Sequence, residues 1–363
     1  MNNIIKKDLE EIFSKNIDWK LFDNAAVLIT GAYGMLASYL TLMLIYLREE
    51  KEIRVNIIAL VRSKEKFKRK FQEYADKEYI EIYETNLLEP VYIDEKIDYI
   101  VHAASLANPN YYATSPIDVL TPNIIGNYHL LNLATQKNVK AYLLFSTGDV
   151  YGSVDGVKTI TEDTIGKMDP LDLHSCYGES KRMAETMCLS FYVQNKVPVK
   201  IARIAHTYAP TMDIENDPRV FASFVADIIN NRDIVMLSDG CAKRPFCYIT
   251  DAIYAFIKIL LDGKSGEAYN VCNQKEFMSI FDLANRLVSI YPERKLKVVR
   301  KQRNKADNYL ENTTIKNLEI SISNEKLKDL GWNESVSVDD GFKRVIDYIE
   351  NEKWDDNKEI YRN

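Results

Sequence analysis

Cysteine and histidine are scarce in this 363-residue chain, and the few present follow no pattern. Five cysteines (Cys176, Cys188, Cys241, Cys247, Cys272) and four histidines form no CxxC pair and no zinc-ligand rhythm, so no metal site is expected. The cysteines read as reduced thiols of a cytoplasmic protein. Basic excess is also missing: 47 Lys and Arg stand against 53 Asp and Glu, a net charge of −6. A general nucleic-acid binder is thereby excluded, for want of charge to meet phosphates. Long hydrophobic runs are absent too. The longest, from Met35 to Leu47, is interrupted by Ser38, Tyr39 and Thr41, and falls short of the roughly 20 residues of a membrane span. It reads as a buried helix. The first residues lack the apolar core of a signal peptide.

What is present is ordinary globular material, 46% hydrophobic and 28% charged. Residues 1–24 read as an N-terminal helical extension, with Leu9, Ile12, Phe13 and Ile17 at helical spacing. Short apolar runs then alternate with helical stretches: 25–30, 55–61, 80–83, 97–102, 141–146 and 199–204. That alternation implies an α/β fold, a Rossmann-like doubly wound parallel sheet with ligands at the carboxyl ends of its strands. The dinucleotide-binding domain is expected over 25–205, its sheet completed by about 245–275. A smaller C-terminal substrate-binding portion should comprise 206–244 and 276–351, ahead of a polar tail at 352–363. The lysine-rich stretch 64–70 reads as a solvated helix face.

Between the first strand and the first long helix lies Thr30-Gly31-Ala32-Tyr33-Gly34-Met35-Leu36-Ala37. Glycines at that place let the backbone approach a pyrophosphate at a helix N-terminus, which points to a dinucleotide. The second strand ends in Arg62, where an acidic residue would hold a ribose hydroxyl. Arg62 could hold a 2′-phosphate, which favours NADP, or stack on the adenine, which admits NAD as well.

Tyr177-Gly178-Glu179-Ser180-Lys181 opens another helix, and the four-residue spacing puts Tyr177 and Lys181 on one face. The ammonium favours the phenolate, so Tyr177 can remove a hydroxyl proton while hydride leaves the same carbon. Thr147, ending a strand about 30 residues upstream, is placed to hydrogen-bond that hydroxyl.

These motifs, with Asp98–Ser105, Asn108–Tyr111, Ser115–Ile117, Asn123–Gly126, Ser175–Arg182, Arg219-Val220, Arg244–Tyr248 and Leu330–Trp332, resemble the extended short-chain dehydrogenase/reductases of the nucleotide-sugar epimerase/dehydratase group. Within the group the chain is most similar to UDP-glucuronate decarboxylases. The resemblance implies a nucleotide-sugar substrate (UDP-linked in those relatives), a transient 4-keto sugar, and a recycled cofactor, NAD with NADP possible. It implies a homodimer through the helices near 123–136 and after Tyr177. Thr147, Asp149, Tyr177 and Lys181 would be catalytic. Gly31, Tyr33, Gly34, Met35, Arg62, Asn86, Leu87, Ala103, Ala104 and Ser105 would bind the cofactor together with Tyr177 and Lys181. Ser105, Asn108, Thr147, His206, Arg219 and Arg244 would bind substrate.

Departures from the family pattern narrow the reaction. Dehydratases carry Thr-Asp-Glu where this chain has Thr147-Gly148-Asp149, so the acid that protonates a departing 6-hydroxyl is missing. Decarboxylases carry Thr-Ser-Glu, and Asp149 is one methylene shorter. His206 replaces an Asn. Decarboxylation is the leading expectation, with 4-epimerisation and net NAD(P)-dependent reduction as alternatives.

Overall fold

The computed structural model describes residues 1–301 and 320–360. The chain enters through α1 (Asn3–Phe13), and then β1 (Ala26–Thr30), α2 (Met35–Glu50), β2 (Asn56–Val61), α3 (Lys64–Phe71), β3 (Ile80–Glu84) and β4 (Tyr99–His102) alternate. Two short helices, α4 (Asn110–Thr114) and α5 (Pro116–Thr121), lead through a π-helical turn at Pro122–Gly126 into α6 (Asn127–Lys137). After β5 (Ala141–Thr147) come a two-residue β6 (Thr159–Ile160), the long α7 (Cys176–Asn195) and β7 (Val199–Ile204).

The C-terminal part is built of β8 (Thr207–Tyr208), α8 (Val220–Ile229), β9 (Ile234–Met236), β10 (Lys243–Pro245), β11 (Cys247–Tyr248) and α9 (Ile249–Asp262). It continues with β12 (Glu267–Val271), β13 (Phe277–Ser279), α10 (Ile280–Ile290), β14 (Val298–Arg300), β15 (Ser321–Ile322), α11 (Glu325–Lys328) and α12 (Val338–Ile360). The last helix runs through most of the stretch read as a tail, of which 361–363 lie outside the described residues, as do 302–319 of the expected substrate portion.

Seven strands form one sheet in the order β12-β7-β5-β4-β1-β2-β3, every pair parallel. The order reverses between β1 and β4, the switch point at which a doubly wound sheet binds its ligand. Both faces are covered, and alternate residues serve opposite sides. Val27 and Ile29 of β1, with Leu143 and Phe145 of β5, join the core shared with α2 and α9. Ala26 and Leu28, with Tyr142 and Leu144, join the core under α6 and α7. Burial on both faces is why these strands read as unbroken apolar runs.

The N-terminal helix is held by a buried polar knot. Asp8 accepts from the Tyr39 hydroxyl of α2 (2.9 Å), the Tyr248 hydroxyl of β11 (2.7 Å) and Arg344 of α12 (2.7 Å). Arg344 also donates to Glu11 (2.9 Å), so α1 ties both parts of the chain together. In α3, Phe67 and Phe71 pack inward while Lys66, Lys68 and Lys70 lie on the outer face. Among the described residues no helix is long and apolar enough to cross a membrane.

Candidate active site

The turn after β1 requires glycine for two reasons. Gly31 has φ +63°, and a methyl group there would come within 3.0 Å of the Ala104 Cα. Its amide donates to the Leu60 carbonyl (2.8 Å), and its carbonyl accepts from the Gly34 amide (2.8 Å). Helix α2 then begins at Met35 with no side chain capping its first amides. Free N–H groups at the positive end of a helix dipole, at the sheet's carboxyl edge, suit a pyrophosphate. Tyr33 and Met35 flank the turn, half-buried.

A second clamp fixes the tip of β4. Thr30 Oγ1 accepts from the Ala103 and Ala104 amides (3.0 and 2.9 Å) and donates to His102 Nδ1 (2.9 Å). The other ring nitrogen donates to the Pro122 carbonyl (3.3 Å). Burial, and then the Lys181 charge, push His102 down to about 3, so the imidazole is neutral. Just beyond, the Ser105 hydroxyl is buried without a partner among the described residues. Such a group is costly unless a ligand serves it, so Ser105 fits a bound dinucleotide or sugar.

Toward the β2–β3 end the residues are more open. Arg62 is exposed at the tip of β2. The Asn86 side chain turns back on its own loop and accepts from the Leu88 amide (2.8 Å). Leu87 lies against Gly126, where a Cβ would come within 3.0 Å of it.

The acid–base group forms where β5 meets α7. Lys181 is buried, its Nζ donating to the Phe145 carbonyl (2.7 Å) and lying 6.0 Å from the Tyr177 ring centre. Burial pulls Lys181 down to about 7, while Glu185 and Cys188 pull it up. Burial pushes the Tyr177 phenol well above its usual range; Asp149 adds to this and hydrogen bonding with Thr147 opposes it. The Tyr112 ring of α4 stacks on Tyr177 at 5.4 Å and 16°.

Thr147 Oγ1 also accepts from the Asp149 amide (3.2 Å), closing the turn that follows β5. Asp149 opens into the cleft yet has protein on every other side. That surrounding raises its carboxyl, while Arg244 and the Thr147 hydrogen bond lower it. A side chain at Gly148 would meet only ordinary contacts, Ile322 at 3.8 Å and Ala205 at 3.9 Å. Glycine is therefore not a steric necessity at 148; its consequence is chemical.

Arg244 of β10 donates to the Lys243 carbonyl (2.7 Å) and faces Asp149; burial lowers its pKa and Asp149 raises it. His206 has φ +46°, the left-handed region in which Asn and His are enriched. The backbone thus explains how His can take an Asn position. Its ring lies 6.2 Å from that of Phe246, and burial, then Arg244 and Arg219, push it down to about 3. Arg219 is engaged within the protein, through Nε and Nη2 to Asp217 (2.9 and 2.5 Å) and Nη1 to the Thr207 carbonyl (2.9 Å). Asn108 braces the rim: Oδ1 accepts from the Asn110 amide (2.9 Å) and Nδ2 donates to the Asn216 carbonyl (3.3 Å).

The structure therefore gathers Thr147, Asp149, Tyr177, Lys181, His206 and Arg244 at one end of the cleft, with Arg62 and Asn86 toward the other. Sequence reasoning gave no role to Thr30, His102 or Tyr112. The first two did carry a signal, each being a polar residue closing an apolar strand; Tyr112 carried none.

A parallel sheet with its switch point at a glycine turn defines the class as a dinucleotide-binding α/β protein. A sequence model of the NAD dependent epimerase/dehydratase family matches residues 27–272. UDP-glucuronic acid decarboxylase 6 of Arabidopsis thaliana is 30% identical over 319 residues, 88% of this chain and 87% of that protein. UDP-glucuronic acid decarboxylase 1 of Danio rerio is 30% identical over 336 residues, 91% of this chain and 74% of its own. Among solved structures, UDP-glucose 4-epimerase of Thermotoga maritima superposes with TM-score 0.72 at 22% identity, covering 90% of this chain and 99% of its own. A dTDP-glucose 4,6-dehydratase of Streptomyces venezuelae superposes with TM-score 0.73 at 19% identity, covering 91% and 98%. The chain belongs to the NAD dependent epimerase/dehydratase family.

Proposed function

We propose that this protein remodels the sugar of a nucleotide sugar through a transient 4-ketone, with NAD recycled inside the site, and that it decarboxylates UDP-glucuronate. The observation that carries the reading is the buried Tyr177–Lys181 pair beside Thr147, facing Asp149 and Arg244 across the cleft. The curated relatives support the substrate, since those quoted are named UDP-glucuronic acid decarboxylases.

Gly31, Tyr33, Gly34 and Met35 would hold the cofactor's pyrophosphate side, Ala103, Ala104 and Ser105 its middle, and Arg62, Asn86 and Leu87 its adenosine. When bound, NAD supplies a hydride acceptor and then a hydride donor at the sugar's carbon 4. Thr147 orients the 4-hydroxyl and Tyr177 takes its proton, the Lys181 ammonium stabilising the phenolate. The ketone so formed is β to the sugar carboxylate, so carbon dioxide leaves into an enolate without a metal. Tyr177 afterwards returns its proton to the 4-oxygen. Arg244 suits the diphosphate or carboxylate because a guanidinium fork binds either bidentately, and Arg219, its own fork engaged by Asp217 and the Thr207 carbonyl, would add positive charge beside it. His206 and Asn108 line the same space, and Asp149 handles a proton beside the ketone or orients the sugar.

A second reading, 4-epimerisation, draws on Asp149: its reach is one methylene less than the glutamate of the decarboxylases. A homodimer through α6 and α7 is supported by Tyr128, Met183, Leu189 and Val193, which stand 49%, 50%, 47% and 63% exposed. Five free thiols suit a cytoplasmic setting. Incubation with a panel of nucleotide sugars, read by mass spectrometry, tests the reading. Loss of carbon dioxide from UDP-glucuronate supports it; an unchanged mass for every sugar, with no epimer formed, overturns it.

A further inference from the structure

Three consecutive residues at the tip of β5 meet three residues of α7 spaced one turn apart. Thr147 faces the Tyr177 phenol, the Phe145 carbonyl accepts from Lys181 (2.7 Å), and the Ser146 hydroxyl donates to Glu185 (2.5 Å). The third rung is anchored from the neighbouring strand. Arg203, paired with Ser146 in the β5–β7 register, donates to both Glu185 oxygens, Nε at 3.1 Å and Nη2 at 2.8 Å. Arg203 is itself held by the Tyr151 hydroxyl (3.0 Å) and the Glu162 carbonyl (2.8 Å). Glu185 and Arg203 line an open pocket of about 450 Å³, with Arg182, Glu162 and Lys326 around it.

We propose that Glu185 is a positioning residue for the acid–base pair: its carboxylate, fixed by Ser146 and Arg203, places a negative charge one helical turn from Lys181 and favours the ammonium beneath Tyr177. The spacing supports this, since residues four apart on a helix are neighbours and a glutamate there favours the ammonium. The other groups facing the pair do not supply that charge. His102 of β4 is kept a neutral imidazole by burial and then by the Lys181 charge, and Cys188 of α7 is a thiol held protonated by burial. Asp149 faces the phenol and opposes its ionisation, and Tyr112 stacks on the ring. Burial alone draws Lys181 toward its neutral form, and the Glu185 carboxylate works against that. A neutral Lys181 would leave Tyr177 a poor base near neutrality.

The role of Glu185 rests on the reading of Tyr177 as the base, and its test does not depend on which sugar is the substrate. The near-ultraviolet absorbance of phenolate is titrated in the NAD-loaded protein, with Tyr177→Phe subtracted to isolate one ring. In Glu185→Gln, which keeps the shape and an acceptor for Ser146, the Tyr177 midpoint should rise by about one pH unit or more. Glu185→Asp should restore part of that shift. Should Glu185→Gln fail to fold, Ser146→Ala keeps both charges and loosens only the carboxylate, so its midpoint should rise by less, in the same direction. A midpoint unmoved in a folded variant overturns the proposal. If the Tyr177→Phe difference shows no phenolate below the range of the other tyrosines, the reading of Tyr177 itself fails, and turnover of nucleotide sugars then decides separately.

Discussion

Removing one oxygen by Tyr177→Phe should reduce turnover about 100-fold or more, the usual worth of a positioned acid–base group. Melting temperature and NAD binding should hardly change, because the ring remains stacked on Tyr112. Steady-state kinetics beside a cofactor titration check both halves. Lys181 makes a second prediction at this scale. It is held down to about 7, against 10.5 for a free lysine. Between those values the unfolded chain binds a proton that the folded chain has released, so stability rises with pH through this window. Below about 7 both states are protonated and the full cost of burying the charge is felt. Denaturant titrations from pH 6 to 10 should show this rise in the wild type and its absence in Lys181→Met. At Arg62, Arg62→Ala should weaken NADP more than NAD if the guanidinium reads a 2′-phosphate. An unaltered ratio of dissociation constants assigns Arg62 to the adenine or to solvent.

Among the elements, the turn after β5 and helix α1 make contrasting cases. Space exists at position 148, so Gly148→Asp should fold normally; the wild type should release no water from a neutral nucleotide-hexose, because it lacks the acid. Formation of a 4-keto-6-deoxy sugar by the wild type would show that Gly148 excludes nothing. In α1, Asp8→Ala leaves Tyr39, Tyr248 and Arg344 without their shared acceptor. Breaking such a buried pair should cost about 3 kcal/mol in denaturant unfolding. The main strands were legible in the sequence because burial on both faces makes them unbroken apolar runs, as in Val199–Ile204. The glycine turn and the Tyr177/Lys181 spacing were legible because they are local. The pairings of β6 with β15 and β8 with β11 were not: two-residue strands carry no period, and their partners lie far along the chain. The π-helical turn before α6 was read as plain helix for the same reason, since only packing against α7, with Asn123 donating to the Ser180 hydroxyl (2.9 Å), reveals it. The engagement of Arg219 with Asp217 was likewise invisible, because a neighbouring acid in sequence need not fold back onto it.

At the scale of the whole molecule, the homodimer proposed above would cover the exposed apolar side chains of α6 and α7 with a second copy of the same face. Light scattering at micromolar concentration should give twice the chain mass, and charged substitutions at Met183 and Leu189 should halve it. The central claim, however, is internal: one hydride leaves the sugar and returns to it within a single closed site. It is tested most directly with UDP-glucuronate carrying deuterium at carbon 4 of the sugar, incubated with the NAD-loaded protein and no further cofactor. The account predicts a product that has lost carbon dioxide, keeps the deuterium at carbon 4, and leaves no free reduced cofactor behind. Deuterium accumulating in released NADH, or a product that keeps its carboxylate, would contradict it.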